Sequence, residues 1–384
     1  MNTGKYVLTQ ILGMIHEETF RRIVIKYKGN HRVRSFTCWH QFLCMSFGQL
    51  TRRESLRDVV ICLSAHEVKH YRLGLGKGVS KSTLSDANEN RDWRIYFDLA
   101  QHLIKKARRL YLEDEPISQE IRQAVYALDS TTIDLCLSVF FWAPFRQKKA
   151  AIKLHTLLDL RDQLPDFVHI TDGLIHDVNT LDLLSFQAKA FYLMDRGYLD
   201  FERLYLIDQA NAYFVIRAKD NLKFARLYSH KVEKTTGLRC DQTIRLTGYY
   251  SSKSYPRHLR RVKFYDKEQA RYYVFLTNNF EIKAIEVANL YKQRWKIELF
   301  FKWIKQNLKI QKFWGQSQNA VKTQIWIAIC TYVLVAILKK KFNIQQSLHE
   351  MLQILSVSTL DKVPVNQLFT KIKNKNTVTK NINH

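Results

Sequence analysis

Hydrophobic and polar positions change rhythm along the chain. The first 110 residues read mostly as helices, punctuated by turn signals at Lys28-Gly29-Asn30 and Gly74-Leu75-Gly76-Lys77-Gly78. Within residues 79–90, Ser80, Ser82 and Ser85 are helix-cap candidates. They precede Asp86, Asn88, Glu89, Asn90 and Arg91 on an expected short, exposed helix. Polar side chains on a helix after a glycine turn suit either the recognition helix of a helix-turn-helix or an ordinary solvated helix.

From residue 121 the pattern shifts to short β-rich runs at 123–128, 133–137, 153–160, 167–171, 191–194 and 213–217. Helices are expected at 180–189 and 201–209. This mixture predicts an α/β sheet. A strand signal returns at 271–277, one long helix is expected over 284–308, and residues 325–338 form a 14-residue apolar run. That run is short for a membrane span and fits a buried helix. Residues from 371 onward are rich in Lys, Asn and Thr and read as disordered.

Charge changes the picture more than composition does. The 384 residues carry 61 Lys and Arg against 35 Asp and Glu, a formal charge of +26, so a polyanion is the natural partner and nucleic acid heads the candidates. The basic surplus is dense at 222–263, where eleven Lys or Arg face only Glu233 and Asp241. That turn-rich segment reads as an inserted, DNA-facing subdomain. A 46% hydrophobic content excludes a disordered chain. The six cysteines form no CxxC pair and read as reduced thiols of a cytoplasmic protein.

Three carboxylates stand out. Asp129 follows the apolar run Val125-Tyr126-Ala127-Leu128 and Asp195 follows Phe191-Tyr192-Leu193-Met194, so each is expected at the carboxyl end of a strand, where ligand sites of open α/β sheets gather. Either one alone would equally suit a turn. The third is Glu298. At about 100° per residue, Tyr291, Arg294, Glu298 and Lys305 fall within an arc of roughly 60°, with Lys305 about 10 Å beyond Glu298. One helical face thus offers a metal ligand flanked by cations for phosphate. A salt-bridged surface helix, with Arg294 and Glu298 as an i,i+4 pair, is the plainer alternative. Trp295 and Trp303 read as packing residues, Tyr273 as a core or sheet-surface tyrosine, and His155 and His176 as structural.

Together these residues carry a family resemblance. Tyr291, Arg294, Glu298 and Lys305 match the Tyr-x2-Arg-x3-Glu-x6-Lys signature of the DDE transposases of bacterial insertion sequences, family four. Leu128-Asp129-Ser130-Thr131-Thr132, Asp195-Arg196-Gly197-Tyr198 and Phe214-Val215-Ile216-Arg217-Ala218-Lys219 are similar to its other motifs.

The resemblance implies a ribonuclease H-like catalytic core over residues 116–345 with a β-rich insertion at 220–280. A helical DNA-binding domain over 1–115 would precede it and a partly disordered tail over 346–384 would follow. It implies Asp129, Asp195 and Glu298 as catalytic ligands of Mg²⁺, with Mn²⁺ able to substitute, and Tyr291, Arg294 and Lys305 as DNA-phosphate contacts. The expected activity is cleavage of double-stranded DNA at the element's terminal inverted repeats and joining of the 3′-OH to target DNA, cut-and-paste, by two-metal phosphoryl transfer. The expected assembly is a homodimer on DNA, off the membrane, in the bacterial cytoplasm with the nucleoid. A non-transposing nuclease on the same fold and a sequence-specific DNA-binding regulator are the alternatives.

Overall fold

The computed structural model describes residues 4–76, 78–111, 121–135, 140–146, 149–307 and 313–370. The chain divides into two compact units: Met1–Glu113, Ser138–Trp142 and Phe301–His384 form the first, Asp114–Leu137 and Ala143–Phe300 the second.

The first unit opens with seven helices: α1 Val7–Leu12, α2 Glu17–Lys26, α3 Cys38–Leu50, α4 Leu56–Ser64, α5 Glu67–Leu73, α6 Lys81–Asn90 and α7 Arg94–Tyr111. Side-chain oxygens at Thr37, Ser55 and Ser80 accept backbone N–H groups at the starts of α3, α4 and α6, satisfying donors that lack an intrahelical acceptor. The helix expected at 79–90 is therefore present, with Ser80 as its cap and Ser82 and Ser85 inside it. Its expected exposure is corrected. Leu84, Ala87 and Asn88 are buried, Asn88 Oδ1 accepts from Gln41 Nε2 at 2.8 Å, and the Asn88 carbonyl accepts from Asn319 at 2.8 Å. Arg91 lies past the helix end in extended conformation and donates to Gln41 Oε1. An Asn with a buried amide partner is committed to the core, which spacing alone does not reveal.

The second unit is built on one ten-stranded sheet: β1 Val125–Leu135, β2 Pro144–Arg146, β3 Lys149–Asp159, β4 Pro165–Asp172, β5 Phe191–Met194, β6 Tyr213–Arg217, β7 Phe224–His230, β8 Leu238–Leu246, β9 Leu259–Asp266 and β10 Arg271–Thr277. The order is β2-β3-β1-β5-β6-β10-β9-β8-β7, with β4 on β3. Only β1–β5 and β5–β6 are parallel. The runs expected at 123–128 and 133–137 meet in the single strand β1, which holds 125–128 and 133–135, while 136–137 lie outside the described residues. The basic segment supplies β7, β8 and β9, which extend the same sheet through β10. A buried ion pair fixes it: Arg260 grips Asp241 with both prongs at 2.8 and 2.9 Å, each side chain 7% exposed.

Helix α8 Phe201–Gln209 appears as expected, capped by Asp200. The helix expected at 180–189 does not form. A 3₁₀ segment, Asp177–Leu183, stands there, followed by irregular chain. Helix α9 Tyr249–Ser254 follows β8. The long helix expected at 284–308 is two, α10 Ala284–Gln293 and α11 Trp295–Asn307, joined at Arg294. There, Arg294 N–H donates to the Tyr291 carbonyl and Ile297 N–H to the Arg294 carbonyl, three-residue bonds that tighten the turn. Leu128, Tyr192, Met194, Phe214, Ile216, Leu204, Ile207 and Leu276 share this unit's core.

The chain then completes the first unit with α12 Gln318–Lys341, α13 Leu348–Ser358 and α14 Gln367–Thr370. Helix α12 carries the apolar run and packs against α1, α3, α6, α7 and α13. Among the described residues it is the one helix long and apolar enough to cross a membrane, and 94% of its apolar window is buried within the protein. A helix apolar on every side is accounted for by neighbours on every side. Cys38, Cys44 and Cys330 are buried free thiols, and Cys62 and Cys240 are free and partly exposed. Residues 371–384, expected to be disordered, and Cys136 lie outside the described residues.

Candidate active site

The sheet register sets the first two carboxylates side by side. The parallel pairing of β1 with β5 ends at Leu128 opposite Met194, so Asp129 and Asp195 are the next residues on two neighbouring strands. The expectation that each closes a strand needs one correction. Asp129 lies inside β1, which continues to Leu135 paired with β3, and only its parallel partner stops there. The ladder's end is nonetheless where side chains leave the sheet and a polar site can open.

The joint between α10 and α11 brings the third carboxylate. Arg294 Nη1 donates to Asp129 Oδ2 at 2.7 Å, and its Nη2 donates to Glu298 Oε1 at 2.5 Å. One guanidinium thus bridges two carboxylates, the anticipated i,i+4 pair and a long-range one. Tyr291 donates to Asp195 Oδ1 at 3.3 Å, and its ring lies 4.7 Å from that of Phe275 on β10. Five of the six residues singled out from the sequence thus make hydrogen bonds within the set, in two groups: Arg294 with Asp129 and Glu298, and Tyr291 with Asp195. Lys305 is on α11, in the part of the helix that belongs to the first unit.

Burial governs the electrostatics. Arg294 is 14% exposed, Asp129 21% and Glu298 58%. Desolvation raises the Asp129 carboxyl above its ordinary value, although Arg294 and the Ser130 backbone N–H pull it down. Repulsion from the Glu298 charge raises it further, but as a lesser cause than burial. Burial likewise pushes the Tyr291 hydroxyl up to about 12, so it is a donor at neutral pH. The Arg294 Nε is buried and without a partner among the described residues.

Among the described residues, no group of three His, Cys, Asp or Glu side chains stands close enough to hold a metal ion. Two of the carboxylates, Asp129 and Glu298, flank a guanidinium instead. Their oxygens are nonetheless the hard donors that Mg²⁺ takes, and the bridging guanidinium marks a place where a positive charge sits between two of them.

Several side chains were missed or misjudged in the sequence. Tyr198 is 2% exposed, and burial together with the Asp129 and Asp177 charges raises its hydroxyl strongly. Trp295, expected to pack, is 53% exposed. His155 is fully buried, its Nε2 at 2.9 Å from Thr171 Oγ1, while His176 is exposed. Tyr273 lies on the sheet surface, stacked on Phe275 with Arg217 over its ring at 5.4 Å. The Trp303 side chain lies outside the described residues.

A family model described as the transposase DDE domain matches residues 121–334, more than half of the chain. A relative named as the transposase of insertion sequence element IS5377, from Geobacillus stearothermophilus, is 30% identical over 77% of this chain and 81% of its own length. The chain belongs to the DDE transposases of insertion sequences. A transposase relative from Sinorhizobium fredii is 34% identical over 66% of this chain and 70% of its own. One from Synechocystis, named for element IS4SA, is 25% identical over 70% and 74%. The matched DDE span contains Asp129, Asp195, Tyr291, Arg294, Glu298 and Lys305. A second model, described only as a domain of unknown function, matches residues 3–76. A solved piggyBac transposase synaptic complex with hairpin DNA aligns over 98% of this chain and 84% of that one, at 13% identity and a TM-score of 0.43.

Proposed function

We propose that this transposase binds the terminal repeats of its own element, cleaves double-stranded DNA there and joins the freed 3′-OH to target DNA, cut-and-paste, as a family-four enzyme with a ribonuclease H-like core. The observation that supports the reading is that Asp129 and Asp195 follow the end of the β1–β5 ladder while the signature helix reaches both, Arg294 holding Asp129 and Glu298 and Tyr291 holding Asp195.

Asp129, Asp195 and Glu298 are the residues that would hold Mg²⁺ or Mn²⁺. When bound, such ions supply an activated oxygen nucleophile and charge stabilisation at the phosphoryl oxygens. The protein's own part is to position. Arg294 neutralises two carboxylates while they are otherwise uncompensated, and its unpartnered Nε leaves it capacity for one more acceptor, which a DNA phosphate oxygen provides. For a metal to reach Asp129 and Glu298 together, the guanidinium must withdraw from between them. Transfer of Arg294 from carboxylate to phosphate satisfies both demands. Tyr291 orients Asp195 as a donor, and Lys305 grips a phosphate along the strand. Positioning of this kind carries much of the rate in phosphoryl transfer.

The test is incubation of the purified protein with duplexes carrying its element ends and with scrambled duplexes, with and without Mg²⁺. Metal-dependent nicking at the element boundary is the expected result. Binding without nicking under any divalent cation would leave a DNA-binding regulator in its place.

A further inference from the structure

A cleft of the first unit lies in the part of the chain matched only by the domain of unknown function, closed by α7 and the end of α12, and has a volume of about 1120 Å³. Its inner wall is apolar: Phe20 and Val24 are buried, and Trp39, half-buried, meets Phe20 edge-on at 5.4 Å. Its rim is cationic. Lys28, Lys106 and Lys341 line it against one acid, Glu17, while the charge of Arg21 is offset by Glu18 at 2.8 Å.

The rim is also held in place. Lys28 adopts a left-handed backbone, φ 51°, unusual for a residue with a side chain. Next to it, Gly29 is packed so closely that an added Cβ would stand 2.5 Å from Ile95 Cδ1 and 2.7 Å from Cys38 Sγ. Asn30 Oδ1 accepts the Cys38 N–H at 2.8 Å and ties the loop to α3. The turn therefore fixes the backbone that carries Lys28 at the mouth of the cleft.

We infer that this cleft takes a single DNA strand, with phosphates on Lys28, Lys106 and Lys341 and an unpaired base against Trp39. An anionic rim contact and a flat apolar body inside are the two halves of a nucleotide. A ring set within a concavity reaches a base face only where the base has left the duplex stack. Helix α6, by contrast, has its Asn88 committed to the core and its Arg91 outside the helix. The inference rests on DNA being the partner of this protein, and it assigns the unpaired part of that DNA to the α2–α3 cleft.

The experiment measures binding of the full-length protein to a fluorescent single-stranded oligonucleotide and to a duplex of the same sequence across a salt series, without divalent cation. Trp39→Ala should weaken single-strand binding about tenfold and leave duplex binding unchanged, and Trp39→Phe should recover most of the loss. Lys28→Ala with Lys341→Ala, which touches no core residue, should lower the slope of log affinity against log salt for the single strand by about 1.4. Equal single-strand affinity of Trp39→Ala, the double lysine variant and the wild type would overturn the assignment. So would equal losses on duplex and single strand. If the wild type bound neither DNA, the proposed function itself would fall.

Discussion

Arg294 Nη1 stands 2.7 Å from Asp129 Oδ2 across 165 residues of sequence, and this contact ties the α10–α11 joint to the end of the parallel ladder. Both side chains are largely buried, so the pair is shielded from salt more than a surface bridge would be. It places a permanent cation where the proposed chemistry calls for a divalent one.

Competition between the two cations is measurable. Arg294→Ala should raise the affinity of the DNA-free protein for Mn²⁺ by about tenfold or more, read by loss of the free-ion signal in electron paramagnetic resonance. Arg294→Lys keeps the charge but lacks the two-pronged fork. It should therefore bind Mn²⁺ more tightly than wild type and less tightly than Arg294→Ala. Lysine behaving as arginine would mean that charge alone matters and that bridging does not.

Removing one ligand charge with little change of shape separates chemistry from binding. Asp129→Asn, Asp195→Asn and Glu298→Gln should each cut metal-dependent end nicking by more than about a hundredfold while end binding, measured by mobility shift, stays within a few-fold. Near wild-type nicking by any one of them would remove that residue from the site.

How much of this was legible in the sequence depends on the range of the forces involved. The strand-ending pattern before Asp195, the helix at Phe201–Gln209 and the i,i+4 relation of Arg294 and Glu298 are local, and hydrophobic period exposes local order. The break of the signature helix was not legible. It falls at Arg294, a residue with good helix propensity, whose side chain is engaged by Asp129 from a distant strand. The burial of Asn88 is likewise set by a partner remote in sequence, Gln41. The sheet's far edge is a similar case. A basic, polar run reads as an inserted, DNA-facing subdomain, and that its strands β7, β8 and β9 continue the main sheet through β10, with Arg260 and Asp241 paired inside, depends on pairings remote in sequence.

That buried pair gives a stability test remote from the candidate site. Asp241→Asn leaves the Arg260 guanidinium, 7% exposed, without a counter-charge, and breaking a buried pair costs on the order of 3 kcal/mol. Hydrogen exchange should show the loss as faster exchange of the β8 and β9 amides, with β1 and β5 protected as before. Uniform loosening of the whole sheet would show that the edge strands do not open independently.

His155 supplies a pH dependence whose sign follows from burial. Desolvation lowers its imidazole to about 4 in the folded protein, below the ordinary value of about 6.5, although Asp177, at 3.8 Å, pulls the other way. The folded state therefore holds a neutral ring while the unfolded chain takes up a proton, and the stability associated with that difference is intact above pH 6.5. It drains away as pH falls from 6.5 toward 4. At pH 4.5 the wild type should have lost on the order of 2 to 3 kcal/mol from this group. His155→Gln has no imidazole to protonate, so its denaturation midpoint should fall less steeply with acid than the wild type's, whatever its offset at pH 7. Parallel midpoint curves for the two proteins between pH 7 and pH 4.5 would show that His155 is not held neutral in the fold.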